Sequence, residues 1–491
     1  MNVDFTNNIP EPVSQITKTL KKAGFEAFLV GGCVRDLILA RKPKDWDVTT
    51  NATPEQIISL FKDTFYENTY GTVGVVNKDV TDETIRNVEV TPYRVESTYS
   101  DNRRPDSVSF SQNIDDDLKR RDFTINAIAY DIDTGEIKDL FGGIKDLKDG
   151  YIRTVGNPDN RFQEDGLRIL RAVRFMTELN FQIEPKTKDS LLKNRELLKN
   201  ISQERIKDEF TKVIMSSNPK KGLETMRELD IMSFTIPELE ETYSIGQNKA
   251  HKYDVLEHLL RTLQASADKN YSFELRLACL FHDIGKPRSR RFSEEKQEPT
   301  FYGHDVISAR MTEKILSRLK FSRKIIDDVV SLVRWHMFFS DTEQITLSAV
   351  RRMIANVGRE HIWDLMNLRV CDRVGTGRPK ENPYRLRKYK AMVDEALVDP
   401  ISVGMLKING KGVIEATKSV PGPKIGFILH ALLEEVLDDP TLNTVEYLQK
   451  KAIELYELPL EELKKIGESG KEKKELEEEK KAEEIRKKHS V

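Results

Sequence analysis

Two aspartates, Asp45 and Asp47, stand two residues apart in the run Lys42-Pro43-Lys44-Asp45-Trp46-Asp47-Val48-Thr49. If Asp45–Thr49 is a strand, alternation puts both carboxylates on one face. Side by side, two like charges repel, so their pairing makes sense when a cation lies between them. Hard carboxylate oxygens of this kind suit Mg²⁺ bound together with substrate phosphates. Just upstream, Gly31-Gly32 ends the apolar run Ala27–Val30 and opens a helical stretch to about Ala40. The bare N–H groups of Gly32 and its neighbours, with Arg35 on the first turn, suit a triphosphate. A strand edge with two solvated carboxylates is the plainer reading. It explains the aspartates alone, but not their conjunction with the glycine turn.

A second pattern repeats every third residue: Asp165, Arg168, Arg171 and Arg174 on a predicted helix. A ladder of surface ion pairs has the same spacing. Base reading is the sharper use. Cytosine and adenine both present an amine donor beside a ring-nitrogen acceptor, which Asp165 can accept from and Arg168 can donate to. Uracil and guanine reverse both polarities, and each mismatch leaves buried polar groups unpaired at about 1–3 kcal/mol apiece. One Asp–Arg pair thus admits C and A and rejects U and G.

These side chains need a scaffold. The first ~140 residues read as mixed, with β-like segments at Asp45–Thr49, Gly71–Val76 and Val88–Arg94. Asn126–Asp133 and Glu136–Asp139 read as a hairpin around Asp133-Thr134-Gly135. Beyond roughly Pro158 the pattern is helical throughout.

The run GGCVRDLILARKPKDWDVTT resembles the signature of the polymerase-β-like nucleotidyltransferases. The branch it is similar to holds the class II tRNA nucleotidyltransferases (CCA-adding enzymes) and the bacterial poly(A) polymerases. The likeness continues in RRDFTINAIAYD (Arg120–Asp131) and RFQEDGLRILRAVRF (Arg161–Phe175). One departure is Gly166, where the family usually carries proline, and which could loosen that helix start. The resemblance implies an α+β fold: a nucleotidyltransferase head followed by an all-α neck, an HD domain and a C-terminal helical region. It also implies two metals on the paired aspartates, with Glu89 in VEVTPYR as the third strand carboxylate. Asp165 and Arg168 match the family's base-selecting pair, while Arg171, Arg174 and Arg121 match arginines near the bound nucleotide. No covalent enzyme intermediate is needed; catalysis is positioning and charge stabilisation.

His258, His282-Asp283, His304, His336 and Asp372 follow the spacing of the HD phosphohydrolases, with FHDIGKP and YGHD as local context. Imidazoles and carboxylates on facing helices suit a first-row transition metal that activates water against a phosphoester. A fold retained as an RNA-binding scaffold would keep the same pattern. His251 and His361 lie off it.

With 491 residues the chain exceeds one core, and the expected division is 1–145 head, 146–249 neck, 250–380 HD domain, 381–465 C-terminal region and 466–491 charged tail. Basic and acidic residues nearly balance, 79 against 81, so any nucleic-acid footprint is local. Three distant cysteines exclude a disulfide framework and a zinc-finger layout. No secretory leader or membrane-spanning run is legible, which sets the expectation of a cytoplasmic protein. Pro421-Gly422-Pro423, with Lys418 and Lys424, reads as a helix start suited to an RNA phosphate or as plain packing. The resemblance implies that the segment Tyr99–Val108, YSDNRRPDSV, between the catalytic strand and the RRD motif, is an exposed lever for switching the pocket from C to A; an ordinary connecting loop is the plainer reading.

The expected function is template-independent addition of C and A to the 3′ end of tRNA, with tRNA, CTP and ATP as partners and no obligatory protein partner. A-only or poly(A) addition is the alternative within the class. The rivals from outside it are an HD phosphodiesterase with a vestigial head and a non-catalytic RNA-binding protein.

Overall fold

The computed structural model describes residues 4–66, 71–96, 108–247, 252–294, 297–338, 345–378 and 380–468. Most of the Tyr99–Val108 segment, His251 and the tail Lys471–Lys488 lie outside the described residues. Two compact units, Met1–Pro237 and Glu238–Val491, make up the chain.

The first unit is built on a seven-stranded sheet. Its strands are β1 (Ala27–Val30), β2 (Asp47–Thr50), β3 (Thr64–Tyr66), β4 (Val73–Val76), β5 (Asn87–Pro92), β8 (Ile128–Tyr130) and β9 (Ile137–Asp139). A separate pair, β6 (Arg94–Glu96) and β7 (Val108–Phe110), follows β5. Spatial order is β3-β4-β5-β2-β1-β8-β9, with β2 and β5 parallel and the other pairings antiparallel. All four residues of β1 are buried, as a central strand covered on both faces requires. In β5, Val88 and Val90 are wholly buried while Glu89 points the other way. Helix α1 (Glu11–Lys22) lays Val13, Ile16 and Leu20 into the core at helical spacing. The expected hairpin is present as β8 and β9.

One expectation needs correcting here. β2 starts at Asp47, so Asp45 lies in a bend before the strand. Trp46 is buried, and its carbonyl accepts the Glu89 N–H at 3.2 Å; from there the parallel ladder runs on from the Asp47–Glu89 pair.

Helices α2 (Gly32–Ile38), α3 (Ile114–Lys119), α4 (Pro158–Glu164), α5 (Leu167–Leu179) and α6 (Gln203–Met215) complete the positioning elements of this unit. Asp165 is not on the helix with its arginines; it ends α4 in extended conformation, and its Oδ1 accepts the Leu167 N–H at 3.0 Å. Gly166, the residue before α5, takes an ordinary helical φ of −58°. Leu197 lies 3.0 Å from where a Cβ at this position would sit.

In the second unit, α7 (Val255–Asp268), α8 (Phe273–Phe281), α9 (His304–Arg318), α10 (Arg323–Trp335) and α11 (Ile362–Gly375) gather the histidines. The polar insertion Ser289–Pro299 folds into a short hairpin, Arg291–Ser293 against Glu298–Thr300. Among the described residues between α11 and Tyr384 none is helical, as GTGRPKENP suggests. The helix α12 (Pro423–Asp438) begins at the Pro-Gly-Pro turn, with the Lys424 ammonium 4.5 Å from the centre of the Tyr456 ring and Lys418 in left-handed conformation.

At Gly375 α11 packs tightly on α7: an added Cβ would fall 2.1 Å from Thr262 Oγ1 and 2.9 Å from the His258 carbonyl. Only glycine lets Asp372 approach His258 in this way. Gly375→Ala is therefore expected to destabilise this unit by about 1–3 kcal/mol, the usual cost of overpacking. Thermal unfolding of the variant checks it, a lowered melting temperature being the expected result.

Candidate active site

The sheet and helices of the first unit enclose a pocket of about 790 Å³, within the range typical of ligand sites. Asp45, Asp47 and Glu89 line it. Register explains the third acid, since Glu89 pairs directly with Asp47 across parallel strands. The glycine turn faces the aspartates. A Cβ on Gly31 would sit 3.4 Å from Asp47 Oδ2 and 3.0 Å from Arg121 Nη1, and one on Gly32 3.6 Å from Asp45 Oδ1. Gly31 also has a φ of +80°, which a side chain would strain. The turn thus leaves a cradle bounded by two carboxylates and a guanidinium, whose oxygen donors fit Mg²⁺. Beneath it the buried Cys33 thiol is pushed up to about 12 by its burial and by Asp47, which makes it a poor nucleophile.

Every catalytic and nucleotide-binding residue expected from the sequence, namely Gly32, Arg35, Asp45, Asp47, Glu89, Arg121, Asp165, Arg168, Arg171 and Arg174, lines this one pocket. The arginines are held by acids. Arg171 Nε and Nη2 donate to Asp122 Oδ2 at 2.7 and 2.6 Å. Burial alone would raise the Asp122 carboxyl, but the Arg171 and Arg168 charges hold it well below the usual carboxylate range. Asn126 links the set, donating to Asp122 at 3.2 Å and accepting from Arg35 Nη1 at 2.9 Å. Arg174 Nη1 lies 3.2 Å from Glu209. Asp117, fully buried, grips Arg120 and Arg121 together.

The base-reading pair differs from the expectation in one respect. Asp165 and Arg168 share the pocket, but each has its own anchor. Arg205 on α6 donates to Asp165 Oδ1 and Oδ2 at 3.1 and 2.6 Å. Arg168 donates to Glu164 Oε2 at 2.6 Å and to the Arg161 and Arg120 carbonyls at 3.1 and 3.2 Å.

The second unit carries a separate constellation. Two groups, His258/His282/Asp372 and Asp283/His304/His336, each have ligand atoms within 4.8 Å of one another, and all six residues are buried. The His282, His304 and His336 Nδ1 atoms lie 3.0, 2.6 and 2.7 Å from the Cys279, Phe301 and Val333 carbonyls. A carbonyl only accepts, so each Nδ1 carries a hydrogen, and the Nδ1–H tautomer of each ring turns an Nε2 lone pair inward. His304 Nε2 and His336 Nε2 face Asp283 Oδ1 at 3.0 and 3.5 Å. Lone pairs facing a carboxylate call for a cation, and this donor set fits a transition metal. Asp283 is further held by Lys286 Nζ at 2.6 Å, which also donates to Gln247. Lys286 and His282 outweigh burial and keep the Asp283 carboxyl well below its ordinary range. His361 lies elsewhere, 3.2 Å from Asp328.

Three family models match segments of the chain. Residues 27–153 match the model described as "Poly A polymerase head domain", 180–243 that of the "Probable RNA and SrmB- binding site of polymerase A", and 255–360 that of the "HD domain". The CCA-adding enzyme of Ligilactobacillus salivarius is 32% identical over 92% of this chain and 98% of its own length. The chain belongs to the CCA-adding enzyme family. Another member, from Lactobacillus helveticus, is 47% identical over 45% of this chain, an alignment spanning 54% of that protein. The crystal structure of the Bacillus stearothermophilus CCA-adding enzyme in complex with CTP superposes with a TM-score of 0.68, at 28% identity, over 91% of this chain and 98% of that one.

For a CCA-adding enzyme family member, the partners that sequence reasoning missed are Asp117, Asp122, Asn126, Glu164, Arg205 and Glu209, and Lys286 in the second unit. Asp122, Asn126 and Lys286 sit inside the motifs RRDFTIN and FHDIGK, while Arg205 and Glu209 lie outside every motif read. Asp122→Asn strands the Arg171 charge. Arg171 keeps a third of its side chain exposed, so the loss should be about 2 kcal/mol at pH 7, below the full cost of a broken buried pair. Because the folded Asp122 carboxyl is depressed, its contribution is complete above the unfolded value of 3.8 and fades as pH falls below it. Urea unfolding of wild type and variant at pH 7 and pH 3 is expected to show the gap narrowing at pH 3.

Proposed function

We propose that the chain adds C and A, from CTP and ATP, to the 3′ end of tRNA, and that it does so in the cytoplasm. The observation that carries this is the single pocket that brings the paired aspartates and Glu89 together with the Asp165–Arg168 reader. Full-length likeness to a CCA-adding enzyme favours this over A-only or poly(A) addition. Mg²⁺ held by Asp45 and Asp47, with Glu89 beside them, would lower the pKa of the RNA 3′-hydroxyl and neutralise the triphosphate. The protein's own groups do the rest. Arg121 and Arg35 border the glycine turn and receive the phosphates. Asp165 and Arg168, held by Arg205 and Glu164, present one acceptor and one donor to the incoming base. The other arginines are fixed before substrate arrives, so little reorganisation accompanies transfer.

We further propose that the HD centre binds a transition metal and hydrolyses phosphoesters independently of the head. Support comes from the inward Nε2 atoms of His304 and His336 and from the buried acids Asp283 and Asp372.

With tRNA lacking its 3′ CCA, wild type should extend the RNA with CTP and ATP and not with UTP or GTP. Asp47→Ala should reduce that rate by at least a hundredfold, several kcal/mol of lost transition-state stabilisation, while tRNA binding persists. Residual activity within tenfold of wild type would remove Asp47 from the mechanism. Asp165→Ala or Arg168→Ala should raise UTP and GTP incorporation relative to CTP and ATP; a slower enzyme with the same preference would give these residues a structural role. His282→Ala should abolish metal-dependent hydrolysis and leave nucleotide addition intact, as metal analysis and a phosphoester assay on the same preparations would show.

A further inference from the structure

The head pocket holds two kinds of cation. Arg121, Arg171, Arg174 and Arg205 are each tied to a carboxylate and therefore fixed. Lys42, Lys44 and Lys212 line the same pocket from exposed positions. Lys42 reaches Asp82 at 3.0 Å, with three-quarters of its side chain exposed, while Lys44 and Lys212 form no ion pair among the described residues. Fixed guanidinium forks suit a ligand read atom by atom. Ammonium groups on long flexible stems suit phosphates whose exact position varies.

Their placement is informative. Lys44 adjoins Asp45 in the chain, and both lie in the bend that precedes β2. A 3′-hydroxyl brought to Asp45 and Asp47 is the end of a polynucleotide, so its last phosphates must pass over the rim beside those carboxylates. The same pocket is also lined by Lys212, Ser216 and Ser217, at the C-terminal end of α6. They fall within residues 180–243, the segment matched by an RNA-binding description. Arg205, Glu209 and Lys212 follow one another at i, i+4 and i+7, so one face of α6 holds Asp165, holds Arg174 and borders the pocket.

We propose that Lys42 and Lys44, before β2, and Lys212 with Ser216 and Ser217, at the end of α6, form a docking surface on this pocket for a single-stranded RNA 3′ end. It grips the last nucleotides by their phosphates and does not read their bases. The proposal rests on the nucleotidyl-transfer reading of this pocket and assigns the path by which the primer enters it. Phosphate neutralisation makes binding salt-dependent, with about 0.7 in the log–log slope per contact on a single strand.

The test uses the full chain carrying Lys44→Ala and Lys212→Ala together, both exposed positions whose loss leaves the core untouched. One arm measures KM for tRNA lacking CCA and KM for CTP. The other measures binding of the same RNA by fluorescence anisotropy across a KCl series with no nucleotide present. The expected result is an RNA KM and Kd raised at least fivefold, a salt slope shallower by about 1.4, and a CTP KM within twofold of wild type. An unchanged RNA Kd and slope overturn the proposal. A CTP KM that rises as much as the RNA KM also overturns it, by assigning the lysines to the triphosphate. A wild type that adds no nucleotide refutes the transfer reading instead, and the binding arm then judges the rim on its own.

Discussion

An ionised group taken out of water must find an opposite charge or a set of hydrogen bonds, and the head pocket is organised around that requirement. Asp122 against Arg171 is its clearest case: a carboxylate buried to 8% exposure, kept ionised by the guanidinium it holds. Asp117 does the same for Arg120 and Arg121, Glu209 for Arg174, and Arg205 for Asp165. Asp45 and Asp47 face a glycine turn, where a Cβ on Gly31 would stand 3.4 Å from Asp47 and one on Gly32 3.6 Å from Asp45.

The same rule, applied to imidazoles, shapes the second unit. Backbone carbonyls take the Nδ1 hydrogens of three histidines, which turns their Nε2 lone pairs toward Asp283 and its neighbours. Helix packing supplies the precision. Gly375 lets α11 close on α7, and Gly285 lets α9 approach, with the His304 carbonyl 2.9 Å from where a Cβ would stand. Two glycines therefore let the helices that carry the buried histidines and aspartates approach one another.

What could be read from the sequence was what is local. Gly31-Gly32 and the Asp45/Asp47 pair belong to one short stretch, and the HD residues announce themselves by type and order. Glu89 was legible through the family pattern, and its register with Asp47 gives the reason for its position. What escaped was tertiary. Arg205 lies forty residues from Asp165 on another helix, and no periodicity connects them. Spacing by three suggested that Asp165 and Arg168 share a helical stripe. In fact Asp165 ends one helix before the next begins, because its carboxylate caps the Leu167 N–H and its backbone is extended. The strand was placed two residues early for a similar reason: the ladder to β5 starts at the Trp46 carbonyl, which alternation of side chains does not reveal.

The central claim is that base choice depends on a carboxylate oriented in advance by Arg205. Single-turnover incorporation of CTP and UTP by Arg205→Ala, at saturating tRNA lacking CCA, tests it most directly. Losing a charge-assisted clamp worth about 1.5–3 kcal/mol should cut the CTP-over-UTP ratio by roughly tenfold or more, with tRNA affinity unchanged. A variant that is slower, or not, but discriminates as wild type does would contradict the account.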